Sequence, residues 1–253
     1  MHKTHIWGFV MCAMTLALPA QAQEGEDGNI AKIIFFRAKP GMEQQLEEGL
    51  KKHSAWHKEQ GGTWAWYGWT TETGDFTGGY AGGTFDHSWS DFDKPDIAWE
   101  TDMANVRETI LPFVAEGSRW QYYASLPKVS KPLDKPAMLS EIIVFRLHYG
   151  KDGDFMHLIG RFHEAIAKTA WPVNYQWFRL LSGGDNPTYV LVLPRQNYAS
   201  MKGPEKDFRQ MLTEAVGQQE AEMLFENLAK VVKSESSQLE RNRPDLSYIP
   251  MGK

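Results

Sequence analysis

Two imidazoles four residues apart raise the question of chemistry. His53 and His57 stand in the run His53-Ser54-Ala55-Trp56-His57. A spacing of four puts both rings on one helix face. Histidines at i and i+4 can grip one metal ion, as in the HExxH pattern. The Glu of that pattern is absent here and no third ligand is identifiable along the chain, so no metal is assigned. Without an ion the pair can carry protons, because imidazole titrates near working pH. Histidines satisfied in a core or lying at a helix edge are the plainer alternative. His53 and His57 are therefore the candidate catalytic residues.

The side chains that could hold a ligand beside them are aromatic. The chain carries 10 Trp, and Trp64, Trp66 and Trp69 fall within six residues of one another. Tyr80 follows a short turn later. Such a cluster usually fills a core, and it can also wall a pocket for a flat or apolar molecule. Arg37 could meet an anionic group on that molecule. The expected partner is a small apolar or aromatic compound; the cofactor is left unknown.

Composition removes several classes. Basic residues number 27 against 32 acidic, with no basic stripe, so nucleic acid is not an expected partner. No Gly-rich phosphate loop, Ser-His-Asp order or paired-carboxylate pattern stands out. Lys3, the uncharged run from Ile6 to Leu18 and the small-x-small site Ala20-Gln21-Ala22 predict a signal peptide over residues 1–22. The run is too short for a stable membrane anchor. A periplasmic or secreted protein is expected, with no membrane contact after cleavage. Cys12 is the only cysteine and lies in that segment, behind Phe9-Val10-Met11, which lacks the small residues of a lipoprotein site. The mature chain is thus expected to have no thiol chemistry, no disulfide and no Cys-ligated metal. A domain of about 230 residues can stand on its core alone.

The elements that must position these residues occur twice. Ile33-Ile34-Phe35-Phe36-Arg37 recurs as Ile142-Ile143-Val144-Phe145-Arg146, an offset of 109. The same offset carries Trp66 to Tyr175, Trp69 to Phe178, Tyr80 to Tyr189 and Trp89 to Tyr198. Each copy opens with a buried strand, over 30–38 and 139–148. An amphipathic helix follows, with Leu46, Leu50, His53 and His57 on one face in the first copy and Phe155, Ile159, Phe162 and Ile166 in the second. Strands over 63–71 and 173–181, a glycine turn, and strands over 79–85 and 188–193 come next. A second helix is predicted over 96–115 and 205–230, and closing strands near 118–126 and 232–240. The Pro- and Lys-rich stretch from Pro127 to Pro136 reads as a semi-rigid linker. The domain reading is a signal peptide over 1–22, a first repeat over 23–127, a linker over 128–137 and a second repeat over 138–253.

The order β-α-β-β-α-β is the ferredoxin-like unit. Two such units in one chain resemble the dimeric α+β barrel superfamily, here as a tandem fusion. That superfamily includes cofactor-free antibiotic-biosynthesis monooxygenases, haem-degrading monooxygenases, stress-responsive barrel proteins and chlorite-dismutase-like haem proteins. The resemblance implies an α+β fold with two lobes packed face to face as an intrachain barrel. It implies that a monomer suffices, with a homodimer also open, and that a ligand pocket lies between sheet and helices. It is a resemblance of topology, with no subfamily's diagnostic residue set present, and fold does not give function.

Differences between the copies point to the first one. His53 and His57 align with Phe162 and Ile166. Gly68 aligns with Trp177, and Ala81, Gly82 and Gly83 with Val190, Leu191 and Val192. Glycine in a strand often marks close approach of a ligand or backbone, so a cavity walled by the first copy's aromatics is one expectation and a packed core the other. Arg37 recurs as Arg146, which favours a structural role. The reading is a small-ligand-binding barrel with monooxygenase-like chemistry on an aromatic or apolar substrate. The alternatives are non-catalytic capture of haem or an apolar ligand, and a structural protein with no pocket. An axial haem ligand would have to come from His53, His57, His87, His148, His157 or His163.

Overall fold

The computed structural model describes residues 28–133 and 136–251. The expected signal segment, with Lys3, Cys12 and the Ala20-Gln21-Ala22 site, lies outside the described residues. No helix among the described residues is long and apolar enough to cross a membrane.

The first repeat runs β1 (Ile30–Phe36), α1 (Glu43–Glu59), β2 (Tyr67–Thr71), β3 (Tyr80–His87), α2 (Trp89–Asp93), α3 (Trp99–Thr109) and β4 (Arg119–Ser125). The second runs β5 (Leu139–Leu147), α4 (Asp152–Thr169), β6 (Gln176–Ser182), β7 (Thr188–Arg195), α5 (Phe208–Val216), α6 (Gln218–Val231) and β8 (Val232–Asn242). The eight strands close into one antiparallel barrel in the order β1-β3-β2-β8-β5-β7-β6-β4. Each repeat supplies a block of four. The blocks join through hydrogen bonds at β2–β8 and β4–β6, so the lobes meet edge to edge as well as face to face. Closure leaves no strand edge free.

The strand registers repeat with the sequence. Ile33 lies opposite Gly83, and Ile142 opposite Val192; Tyr67 lies opposite Gly83, and Gln176 opposite Val192. The offset is 109 in every case. It becomes 117 in the last strand, where Ile33 faces Gln121 and Ile142 faces Gln238. Eight more residues therefore separate register-equivalent positions of β7 and β8 than of β3 and β4.

The same offset of 117 extends past the closing strands. The 3-10 turn Pro127–Val129 matches the 3-10 turn Pro244–Leu246, and Lys131 matches Tyr248. Lys131 exchanges backbone hydrogen bonds with Tyr175 of the second repeat, and Tyr248 exchanges them with Trp66 of the first. The start of the expected linker is thus a packed tail, and each repeat lays its tail across the other.

Several boundaries shift for local reasons. β2 begins at Tyr67, because the amides of Thr63 and Trp64 donate to Asp96 Oδ2 at 2.5 and 2.7 Å instead of to a ladder. The helix predicted over 205–230 divides at Gly217, whose φ of +86° is costly for residues with a Cβ. The helix predicted over 96–115 ends at Thr109 and gives way to the 3-10 turn Leu111–Phe113, which contains Pro112.

The two cores differ. α4 buries Phe155, Leu158, Ile159, Phe162, Ala165 and Ile166, whereas α1 buries only Leu46, Gly49 and His57. Gly49 lets α1 approach the end of α3, since a Cβ there would lie 1.9 Å from Thr109 O. The volume missing at Gly68 is not empty. A Cβ there would lie 2.7 Å from Leu246 Cβ, so the second repeat's tail takes the place that Trp177 fills in the other copy. Gly83 is likewise crowded by Ile33 and Trp69, while open space stands over Gly82.

Candidate functional site

Strand alternation divides the first repeat's aromatics between two faces. Tyr67 and Trp69 turn into the barrel lumen, and Trp64 and Trp66 turn toward the helices. On the helix side the registers set Lys32 of β1 between Thr84 of β3 and Tyr122 of β4, with Trp120 one pair along. α1 brings His53 and His57 over this floor. α3 brings Trp99 and Asp102, three residues apart and hence on one face. Between floor and helices lies a cavity of about 250 Å³. A cavity of ~150 Å³ takes benzene, so a small aromatic molecule fits.

One end of this cavity is polar. His53 Nε2 and His57 Nε2 are 3.2 Å apart. Asp102 Oδ1 lies 3.4 Å from the first and 3.6 Å from the second. His53 Nδ1 is 2.8 Å from Asn105 Oδ1; it donates there, which leaves Nε2 with its lone pair turned to the cluster. Asp102 Oδ1, His57 Nδ1 and Trp66 Nε1 are buried with no hydrogen-bond partner. His57, 5% exposed, stacks on Tyr248 at 6.1 Å and lies 5.9 Å from Trp66.

Lys32 is 7% exposed, and among the described residues it has no ion-pair partner. Its Nζ sits 4.2 Å from the centre of the Trp120 ring and 5.0 Å from that of Trp99, within cation–π range. Burial depresses its pKa, opposed by the charge of Asp102. Burial raises the Asp102 carboxyl, opposed by His53 and Lys32. Burial pushes the His57 imidazole down to about 4, helped by His53 and opposed by Asp96. In each case desolvation is the largest cause, and all three groups are driven toward their neutral forms.

Of the seven site residues expected from sequence, four meet here: His53, His57, Trp64 and Trp66. The other three stand elsewhere. Trp69 faces the lumen. Tyr80 packs beneath α1 with its hydroxyl 3.3 Å from Glu47 Oε2. Arg37 lies at a barrel end, donating to Asp75 O at 2.6 Å, its guanidinium 4.6 Å from the Phe76 ring. The cavity gains Lys32, Asp102, Trp99, Trp120 and Tyr122, which sequence reasoning did not single out. Lys32 carried a usable signal. It interrupts an apolar strand and aligns with Glu141, a reversal of charge between the copies.

The lumen is a second cavity, about 640 Å³, walled by side chains such as Ile33, Phe35, Ile142, Val144 and Val190. Glu240 projects into it, 8% exposed, with Oε1 accepting from Gln238 Nε2 at 2.7 Å. Burial pushes its carboxyl up to about 7, against the opposing hydrogen bond. The space that holds imidazoles is smaller than the ~300–1,000 Å³ that drug-sized ligands occupy, and among the described residues no histidine lines the lumen. His87 is committed to Thr84 Oγ1 at 2.6 Å, and His163 to the Tyr175 hydroxyl at 2.8 Å.

No protein-family model and no curated protein matches the sequence. Solved structures do match. One is a candidate monooxygenase from Lactobacillus acidophilus, with a TM-score of 0.58 at 9% identity, covering 88% of this chain and 97% of that one. Another is an anthrone oxidase-like protein, 0.52 at 13%, covering 87% and 93%. A third is the chlorite dismutase from Candidatus Nitrospira defluvii, 0.52 at 10%, covering 87% and 93%. At such identities the likeness is one of fold, and the fold is the dimeric α+β barrel carried in a single chain.

Proposed function

We propose that this fused dimeric α+β barrel acts outside the cytoplasm on a small aromatic molecule bound between α1, α3 and the first repeat's sheet. The observation that carries the reading is the cavity itself, where indoles wall the space and buried His57 and Lys32, with half-buried His53 and Asp102, close one end. Apolar walls with a few convergent polar groups are what a small-molecule site requires. The folds named above, oxidase-like and monooxygenase-like, support an oxidative reaction class.

The residues fit a cofactor-free version of that chemistry. The indoles hold the ring, and the His53–His57–Asp102 cluster takes a proton from an activated methylene or hydroxyl of the substrate. Lys32 Nζ faces the anion left behind and donates a hydrogen bond to it. Dioxygen then accepts the electrons. A methylene becomes a carbonyl, one oxygen atom enters the product and the other leaves as water.

The test is dioxygen uptake with a panel of phenols and anthrones, beside quenching of tryptophan fluorescence by the same compounds. His57→Phe is expected to retain quenching and lose turnover by ~10²-fold or more. Unchanged turnover in that variant would sink the catalytic reading, and absence of quenching by any compound would sink the pocket. A second reading, capture of an apolar ligand without chemistry, is favoured by the lumen and its apolar walls. It predicts uptake of an apolar dye by the wild type that is indifferent to His57→Phe.

A further inference from the structure

We propose that His53 Nε2, His57 Nε2 and Asp102 Oδ1 bind one divalent metal ion of the zinc class, with a fourth position open toward the tryptophan-walled cavity. The inference goes beyond the aromatic-ligand reading and does not depend on it; an ion would occupy the three atoms that serve as base in the cofactor-free reaction, so the two are alternatives for the cluster, while aromatic binding in the cavity is compatible with either.

The spacing of the three donors carries the argument. Their separations are 3.2, 3.4 and 3.6 Å. Zinc–nitrogen and zinc–oxygen bonds of about 2.0–2.1 Å at tetrahedral angles put neighbouring donors about 3.3–3.4 Å apart. Octahedral neighbours at similar bond lengths would stand closer, at about 3.0 Å. Two imidazoles and one carboxylate with an open fourth place is the donor set of catalytic zinc sites.

The surroundings agree. The His53 Nδ1–H bond to Asn105 Oδ1 fixes the tautomer that frees Nε2, the role an outer partner plays for a metal-binding imidazole. Asp102 Oδ1 is buried and accepts no hydrogen bond, a costly state that an ion would relieve. The ion leaves His57 Nδ1 unpartnered, as the ion-free geometry does. Asp96, lining the same cavity, adds a second negative charge to balance a divalent cation. Only the first repeat can do this, since Phe162 and Ile166 take the histidine positions in the second. The stoichiometry should be one ion per chain.

The experiment uses the full chain, stripped with a chelator and titrated with Co²⁺ and Zn²⁺. Expected are one Co²⁺ per chain with the intense visible absorption of a tetrahedral site, displaced by Zn²⁺. Asp102→Asn should weaken binding at least ~100-fold, and Asn105→Ala ~10–100-fold. His53→Phe, which installs the second repeat's residue, guards against a variant that fails to fold; it should fold and lose the ion. Three outcomes overturn the proposal: no Co²⁺ bound, a weak octahedral spectrum, or 1:1 binding that Asp102→Asn and His53→Phe leave intact. Fluorescence quenching by aromatics, measured with and without the ion, separates the two readings. Ion binding without quenching defeats only the aromatic pocket, and quenching without ion binding defeats only the metal site.

Discussion

A lysine between two indoles and a carboxylate oxygen that accepts nothing are states a protein does not hold without cause, since each raises its free energy. Lys32, Asp102 and His57 share one small volume, and only His57 was singled out from sequence. It stood out because the other copy carries Ile166 in its place, and a polar side chain on a helix face that is apolar elsewhere is visible in one dimension. Asp102 lies 45 residues from His57 and Tyr248 lies 191 residues away, so their meeting is a product of topology. Across the barrel wall Glu240 offers a cleaner test of buried charge. Its folded pKa of about 7 exceeds the ordinary value of 4.5, so the folded state holds the proton more tightly than the unfolded chain. The stability from this group is therefore present below pH 4.5 and is lost as pH rises through 7. Urea unfolding of Glu240→Gln and wild type at pH 5 and pH 8 should show the variant gaining, relative to wild type, by up to about 3 kcal/mol at the higher pH. An equal gap at both pH values would contradict a buried, proton-retaining Glu240.

Elements with a strong period were legible: β1, β5, α1 and α4 lie where apolar spacing put them. What escaped was set by contacts distant in sequence. Two amides that would have extended β2 are taken by Asp96, and a glycine in the left-handed region splits one long helical run into α5 and α6. The glycines of β2 and β3 read as emptiness from sequence. At Gly68 that inference fails, because the turn Pro244–Leu246 fills the gap from the far end of the chain. Leu246, 7% exposed, joins the small core of Phe36, Leu46, Tyr80 and Ile110. Leu246→Ala should cost about 2–4 kcal/mol, read as a lower urea midpoint at unchanged slope. A variant within about 0.5 kcal/mol of wild type would mean that the turn does not brace α1.

At the scale of the molecule, the duplication was legible because a gapless offset of 109 survives in the strand registers themselves. Closure was not, because hydrogen bonds between β2 and β8 and between β4 and β6 leave no mark on either strand's composition. Closure makes each half incomplete. Residues 138–253 alone would present the edges of β6 and β8 and a tail with nothing to lie on. That fragment should self-associate in light scattering; a stable monomer would show that the second repeat's core needs no partner edge. The crossed tails have a consequence for descent. Tyr248 stacks on His57 although 191 residues separate them, and Leu246 sits where the first copy lacks a side chain. Drift in the second gene half is thus answerable to chemistry housed in the first. A recombination that replaced one half with a diverged version could keep every strand and still lose the pocket, so the halves are inherited as one unit.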